Sequence, residues 1–145
     1  MSDKSKIVIL EDDPYRTQEM IHRLLELYPG VEVVMFDNAP DMIDWLNEHL
    51  EDAKIICLDH DLGPNRSRHG ELFDPGTGRD VADYLSTKKP VCPILIHTTN
   101  NMAAPGMAMA LDESGWHHSR VIPYCDLEWI KETWIIDVKK IIGKQ

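Results

Sequence analysis

Three short stretches of this chain carry side chains able to hold a cation or move a proton: Glu11, Asp12 and Asp13; Asp59, His60 and Asp61; and His97, Thr98, Thr99 and Asn100. Each follows directly on an apolar run, Ile7 to Leu10, Ile55 to Leu58 and Ile94 to Ile96, while a fourth run, Val121 and Ile122, ends in Pro123 and Tyr124. Carboxylates packed together repel one another and raise their own pKa values unless a cation neutralises them. Hard oxygen donors favour Mg²⁺ or another divalent ion such as Mn²⁺. The expected ligands are Glu11, Asp12, Asp59 and Asp61. The plainer alternative is that two of these acids only cap helices, although acids at two separate strand ends are harder to explain that way.

Positioning such groups requires a scaffold, and the pattern between them supplies one. Brief β-branched runs alternate with longer segments of helical period, which specifies an α/β domain with a parallel sheet covered by helices on both faces. Five units fit. Lys6 to Leu10 precedes a helix from about Pro14 to the stop at Pro29 and Gly30, and Val31 to Phe36 precedes a helix capped at Asp37 or Asn38. Lys54 to Asp59 precedes a helix from about Gly78 to Thr87, and Val91 to His97 precedes one from about Asn101 to Glu113. Arg120 to Tyr124 completes the sheet, and Asp126 is placed to cap a last helix carrying Ile130, Trp134, Ile135, Val138 and Ile141. The expectation is a single three-layer αβα domain over residues 1–145, flavodoxin-like, with a five-stranded parallel sheet in the order 2-1-3-4-5. In that order the carboxyl ends of strands one and three are neighbours at the topological switch point, where Glu11, Asp12 and Asp59 would meet.

Composition bounds the partners. The chain has 145 residues, 43% of them apolar, enough for one core. Fifteen basic against 25 acidic residues leave a formal charge of −10, which repels a phosphate backbone and argues against general DNA binding and anionic membranes, though not against contact with an RNA end. Cys57, Cys92 and Cys125 are odd in number and lack CxxC spacing, so they read as reduced thiols of a cytoplasmic protein. Met1 to Lys6 lacks an apolar signal region, and no apolar stretch is long enough for a membrane span.

One segment does not fit the economy of such a domain. Between about 61 and 77 there is no clear periodicity, yet Gly63, Pro64, Gly70, Pro75 and Gly76 stand beside Arg66, Arg68, His69 and Glu71. Connections that long are lids, binding loops or mobile inserts.

The stretches KIVILEDDP, IICLDHDLG, GTGRDVADYL and PILIHTTN together resemble the receiver domain of response regulators over nearly the whole chain. The resemblance implies that Glu11 and Asp12 are the acidic pair closing strand one, Asp59 the phosphoryl acceptor, and Thr98 the hydroxyl residue of strand four. The family's strand-five lysine has no match, since Pro123 stands there in RVIPYCD and supplies neither charge nor donor. LDHDLG, the longer loop, and HTTN before NNMAAPGMAMAL resemble a diverged receiver branch proposed to process cyclic phosphates.

Three functions follow as expectations. In the first, a metal polarises a cyclic phosphodiester, of a nucleotide or an RNA end, while His97 or His60 moves a proton, as its reference pKa of about 6.5 allows. Asn100 and Thr98 stand beside His97, and Arg66, Arg68, Arg79 or Arg120 would clamp the phosphate. In the second, Asp59 accepts a phosphoryl group, Thr98 bonds it, and the partners are a histidine kinase and an output protein. In the third, the domain is a pseudo-receiver that binds a protein and performs no chemistry. Plainer roles stand beside these: His97 bonding a backbone carbonyl, His60 facing solvent, His117 and His118 in a loop, Met102, Met107 and Met109 as packing, and Trp129 and Trp134 as core or dimer face.

Overall fold

The computed structural model describes residues 4–144. Five parallel strands form one sheet, β1 (Lys6–Leu10), β2 (Glu32–Phe36), β3 (Ala53–Leu58), β6 (Ile94–His97) and β7 (His118–Val121), in the order β2-β1-β3-β6-β7. Numbered within the sheet alone this is 2-1-3-4-5, the flavodoxin-like order. The two remaining strands, β4 (Arg66–Arg68) and β5 (Glu71–Phe73), form a separate antiparallel hairpin.

The helices are α1 (Pro14–Leu27), α2 (Ala39–His49), α3 (Gly78–Leu85), α4 (Ala104–Glu113) and α5 (Ile135–Gly143), the last preceded by a π-helical stretch, Ile130–Trp134. Strand alternation divides the core in two. Val8, Leu10, Ile56, Leu58, Ile94 and Ile96 pack with α2, α3 and α4, whereas Ile7, Ile9, Ile55, Cys57 and Leu95 pack with Met20 and Leu24 of α1 and with Trp129, Trp134 and Val138. Both tryptophans are fully buried, so they are core. Cys57 and Cys92 are buried, Cys125 is exposed, and all three are free. No helix among the described residues is long and apolar enough to cross a membrane.

Several boundaries shift for local reasons. The last strand begins at His118 rather than Arg120, because His118 pairs with Ile94, and it stops at Val121 ahead of Pro123, which has no N–H to continue a ladder. His118 is therefore a strand residue, its Nε2 2.7 Å from Asp112 Oδ1. Met102 and Met109 are exposed while Met107 is buried, since only one side of α4 faces the core. At the last helix the Asp126 carbonyl accepts the Trp129 indole N–H at 3.2 Å.

The segment 61–77 is ordered by short-range chemistry. Asp61 and Thr77 pair across its base. His69 and Gly70 both have positive φ, the geometry of a two-residue type I′ turn joining β4 to β5. Arg66 bonds the Asp37 carboxylate at 3.2 Å and its carbonyl at 2.8 Å, and Arg68 bonds the Asp41 carboxylate at 3.0 Å while lying over the Phe73 ring. The hairpin is thus tethered to the start of α2.

Candidate metal centre at the carboxyl edge

Register decides which residues meet. Leu10, Leu58 and Ile96 occupy one row across β1, β3 and β6, so Glu11, Asp59 and His97 occupy the next. Because successive strand residues alternate faces, these three turn to the side of α1 and Trp129. One ligand atom from each lies within 4.8 Å of the other two. Glu11, Asp59 and His97 are 2%, 6% and 0% exposed.

Helix capping does not account for these acids. The cap of α1 is Asp13, whose carboxylate accepts the Tyr15 and Arg16 N–H groups at 2.8 and 3.3 Å. The cap of α3 is a reciprocal box between Thr77 and Asp80. Glu11 and Asp59 are left for other work. Glu11 Oε1 lies 3.1 Å from His97 Nε2 and 3.6 Å from Arg16 Nη1, and Glu11 Oε2 accepts the Asp13 N–H at 3.0 Å. Asp59 Oδ1 accepts the His60 backbone N–H at 2.7 Å. His97 stacks on Trp129 with centroids 5.8 Å apart, and its buried Nδ1 has no partner among the described residues.

Electrostatics separates the two carboxyls. Burial raises the pKa of Asp59 to about 7, opposed by the charge of His97 and reinforced by that of Glu11. Burial acts on Glu11 the same way, but the hydrogen bond and charge of His97 outweigh it and hold that carboxyl below its ordinary value. Asp12, half-buried, is raised by burial and by its charged neighbour Glu11. Two buried carboxyls and an imidazole that each offer an atom within 4.8 Å are a group that could hold a divalent ion.

The other expected site residues fall around this triad. Asp12 faces a cleft of about 460 Å³ that it shares with Glu11, Asp37 and Asp41. Asp61 turns to His60 Nδ1 at 2.9 Å and to Asn100 Nδ2 at 3.3 Å. Asn100 Oδ1 accepts the N–H groups of Met102 and Ala103, securing the start of α4. Thr98 Oγ1 accepts the Asn100 N–H at 3.0 Å, and the Thr98 carbonyl accepts Arg120 Nη2 at 2.7 Å. Arg79 is engaged by Asp83 at 2.7 Å, as Arg66 and Arg68 are by Asp37 and Asp41. The four arginines expected at a phosphate thus each hold a partner of their own.

Two contributors were not apparent in the sequence. Arg16, in the first turn of α1, lies over Trp129 at 5.3 Å and brings positive charge to Glu11 and Asp59. Its signal is a cation in the first turn after an acid-ended strand. Gly78 is the other: a Cβ there would stand 1.9 Å from the Asp59 carbonyl oxygen, so α3 reaches the Asp59 backbone only without a side chain.

Solved structures share this architecture. The phosphorylated cyanobacterial phytochrome response regulator RcpA superposes with a TM-score of 0.72 at 13% identity, covering 97% of this chain and 96% of that one. A response regulator receiver domain from Rhodospirillum rubrum does so with 0.66 at 14%, covering 97% and 94%. The Mn²⁺-bound response regulator Rcp1 does so with 0.65 at 13%, covering 94% and 92%. At these identities the likeness is one of fold. No curated protein sequence matches the chain. The profile of the cyclic-phosphate processing receiver domain matches residues 7–113, from β1 to the end of α4, and the chain belongs to that family.

Proposed function

We propose that this domain binds one divalent cation at Glu11 and Asp59 and opens cyclic phosphodiesters, with the Glu11–His97 pair as its proton carrier. The observation that carries the reading is the row of Glu11, Asp59 and His97, mutually within 4.8 Å, at the carboxyl edge of a sheet whose fifth strand is followed by Pro123 and not by a cation. A bound ion would neutralise both carboxylates and draw charge from the phosphate oxygens.

Ring opening forms a bond from a water oxygen to phosphorus and breaks one ring P–O bond. The water gives up one proton and the departing alkoxide gains one, so a group that holds a proton between the two events serves both. His97 suits that task because its Nε2 is fixed on Glu11 Oε1, so a proton can be held between ring nitrogen and carboxylate. Arg16 supplies the positive charge that Pro123 does not. The phosphate would come from a small molecule or an RNA end.

One geometric detail favours a second reading. Asp59 Oδ1 is held by the His60 N–H, which fixes the carboxylate while its other oxygen, Oδ2, would attack a phosphodonor to give an aspartyl phosphate in a kinase-driven switch. Incubation in Mg²⁺ with nucleoside 2′,3′-cyclic phosphates, and separately with acetyl phosphate, decides between them. The expected result is conversion to the monoester in ³¹P NMR, slowed about 10²- to 10⁴-fold in His97→Asn. A phosphoryl mass added to Asp59 without turnover would assign the switch, and neither product would leave a protein-binding pseudo-receiver.

A further inference from the structure

A cleft of about 590 Å³ opens beside the triad, between the start of α1 and the loop after β7. It is joined to the triad through its own walls. Arg16 lines the cleft and reaches Glu11 Oε1, and Trp129 lines it and stacks on His97. The cleft has the volume of a small-molecule site, of the order of 300–1,000 Å³.

Its lining has a definite chemistry. Tyr15 from α1 and Tyr124 from the loop after β7 line it and are 72% and 42% exposed. Exposed aromatic rings from two separate elements suit the faces of a planar base. Asp126 lines the cleft with a carboxylate able to accept from sugar hydroxyls. Arg16 is its one basic residue. The guanidinium makes a 3.6 Å contact with Glu11 and lies over Trp129, which leaves several of its five N–H donors for a phosphate.

We infer that this cleft is a nucleoside subsite: Tyr15 and Tyr124 stack the base, Asp126 meets the ribose, and Arg16 draws the phosphate toward Glu11 and Asp59. The inference rests on the cyclic-phosphate reading and names its substrate class, a nucleoside 2′,3′-cyclic phosphate. A free mononucleotide and the end of an RNA share this chemistry. One cation in the cleft and a formal charge of −10 favour the mononucleotide, since each further phosphate adds repulsion.

The test is an NMR titration of the full chain in Mg²⁺ with the four nucleoside 2′,3′-cyclic phosphates, with ethylene phosphate, a cyclic diester that carries no base, and with a short oligoribonucleotide ending in the same cyclic phosphate. ³¹P spectra report independently whether each ligand is opened. At least one mononucleotide is expected to bind tenfold or more tightly than ethylene phosphate and at least as tightly as the oligonucleotide. Its Kd should rise about tenfold in Tyr15→Ala/Tyr124→Ala, whose exposed sites leave the core intact, and rise also in Arg16→Gln. Equal affinity for ethylene phosphate, or a Kd unmoved by the tyrosine substitutions, overturns the subsite even if ring opening proceeds. Tighter binding of the oligonucleotide overturns the mononucleotide assignment. Tyrosine-dependent binding without ring opening keeps the subsite and removes the hydrolase.

Discussion

His97 Nε2 and Glu11 Oε1 lie 3.1 Å apart with both side chains wholly buried, joined across 86 residues of sequence. Removing one member of a buried pair costs far more than the pair contributes, because the survivor keeps its desolvation without its partner. His97→Ala should therefore destabilise the metal-free protein by about 3 kcal/mol, the low end for such pairs because Glu11 keeps the Asp13 N–H and Arg16. Urea denaturation measures it, and Glu11→Gln/His97→Gln should lose less than the sum of its two single changes. Additive losses would contradict the pairing.

Asp59 should link stability to pH. Its carboxyl titrates near 7 when folded and near about 3.9 in an unfolded chain. Between those values the folded form holds a proton the unfolded form has lost, so this group's contribution is complete below about pH 4 and falls as pH rises toward 7. Thermal melts in EDTA should show Asp59→Asn gaining on the wild type across that window, and a constant difference would refute the linkage.

Cation binding should follow the same carboxyl in the opposite sense. A ligand carboxyl must be ionised to coordinate, so Mg²⁺ or Mn²⁺ affinity should rise from pH 5.5 to about 7 and then level. Asp59→Asn and Glu11→Gln should each weaken it at least tenfold. Calorimetry showing a flat pH profile, or unchanged affinity in both variants, would remove the proposed centre.

Gly78→Ala should be costly because the new methyl would meet backbone, which cannot rotate away as a side chain does. About 2–3 kcal/mol is expected from overpacking, with weakened cation binding as α3 pushes on Asp59. Gly30→Ala, where nothing lies near the added carbon, is the control. Equal melting temperatures for the two variants would show that α3 has room to retreat.

The hairpin tethers should matter little to global stability. Arg66 and Arg68 are paired at the surface with side chains 37% and 42% exposed, and such pairs contribute about 0.2–1 kcal/mol. Arg66→Ala/Arg68→Ala should leave the melting midpoint within a few degrees while raising hydrogen exchange in residues 66–73. A large loss of stability would mean that the hairpin belongs to the core.

The strand ends were readable because an apolar run that stops at an acid marks both a strand and its exit, and Lys6 to Leu10 is β1 as expected. What the residues alone left open is parity. Whether His97 or Thr98 faces the acids depends on Ile96 pairing with Leu58, a long-range fact that no local pattern contains. Arg16 escaped notice because its role is a contact across the fold and not a spacing. The hairpin escaped because Arg66–Arg68 and Glu71–Phe73 have no apolar alternation; the two-residue turn at Gly70 was the available cue.

A centre specified by sheet pairing is governed by whole numbers. Deleting a single residue from Ile94–Ile96 would draw Thr98 into the position opposite Asp59 and rotate the imidazole away, exchanging the proton-carrying ring beside the acids for a hydroxyl in one step. Chemistry in such an architecture can change by the length of a strand, with no residue of the site itself substituted.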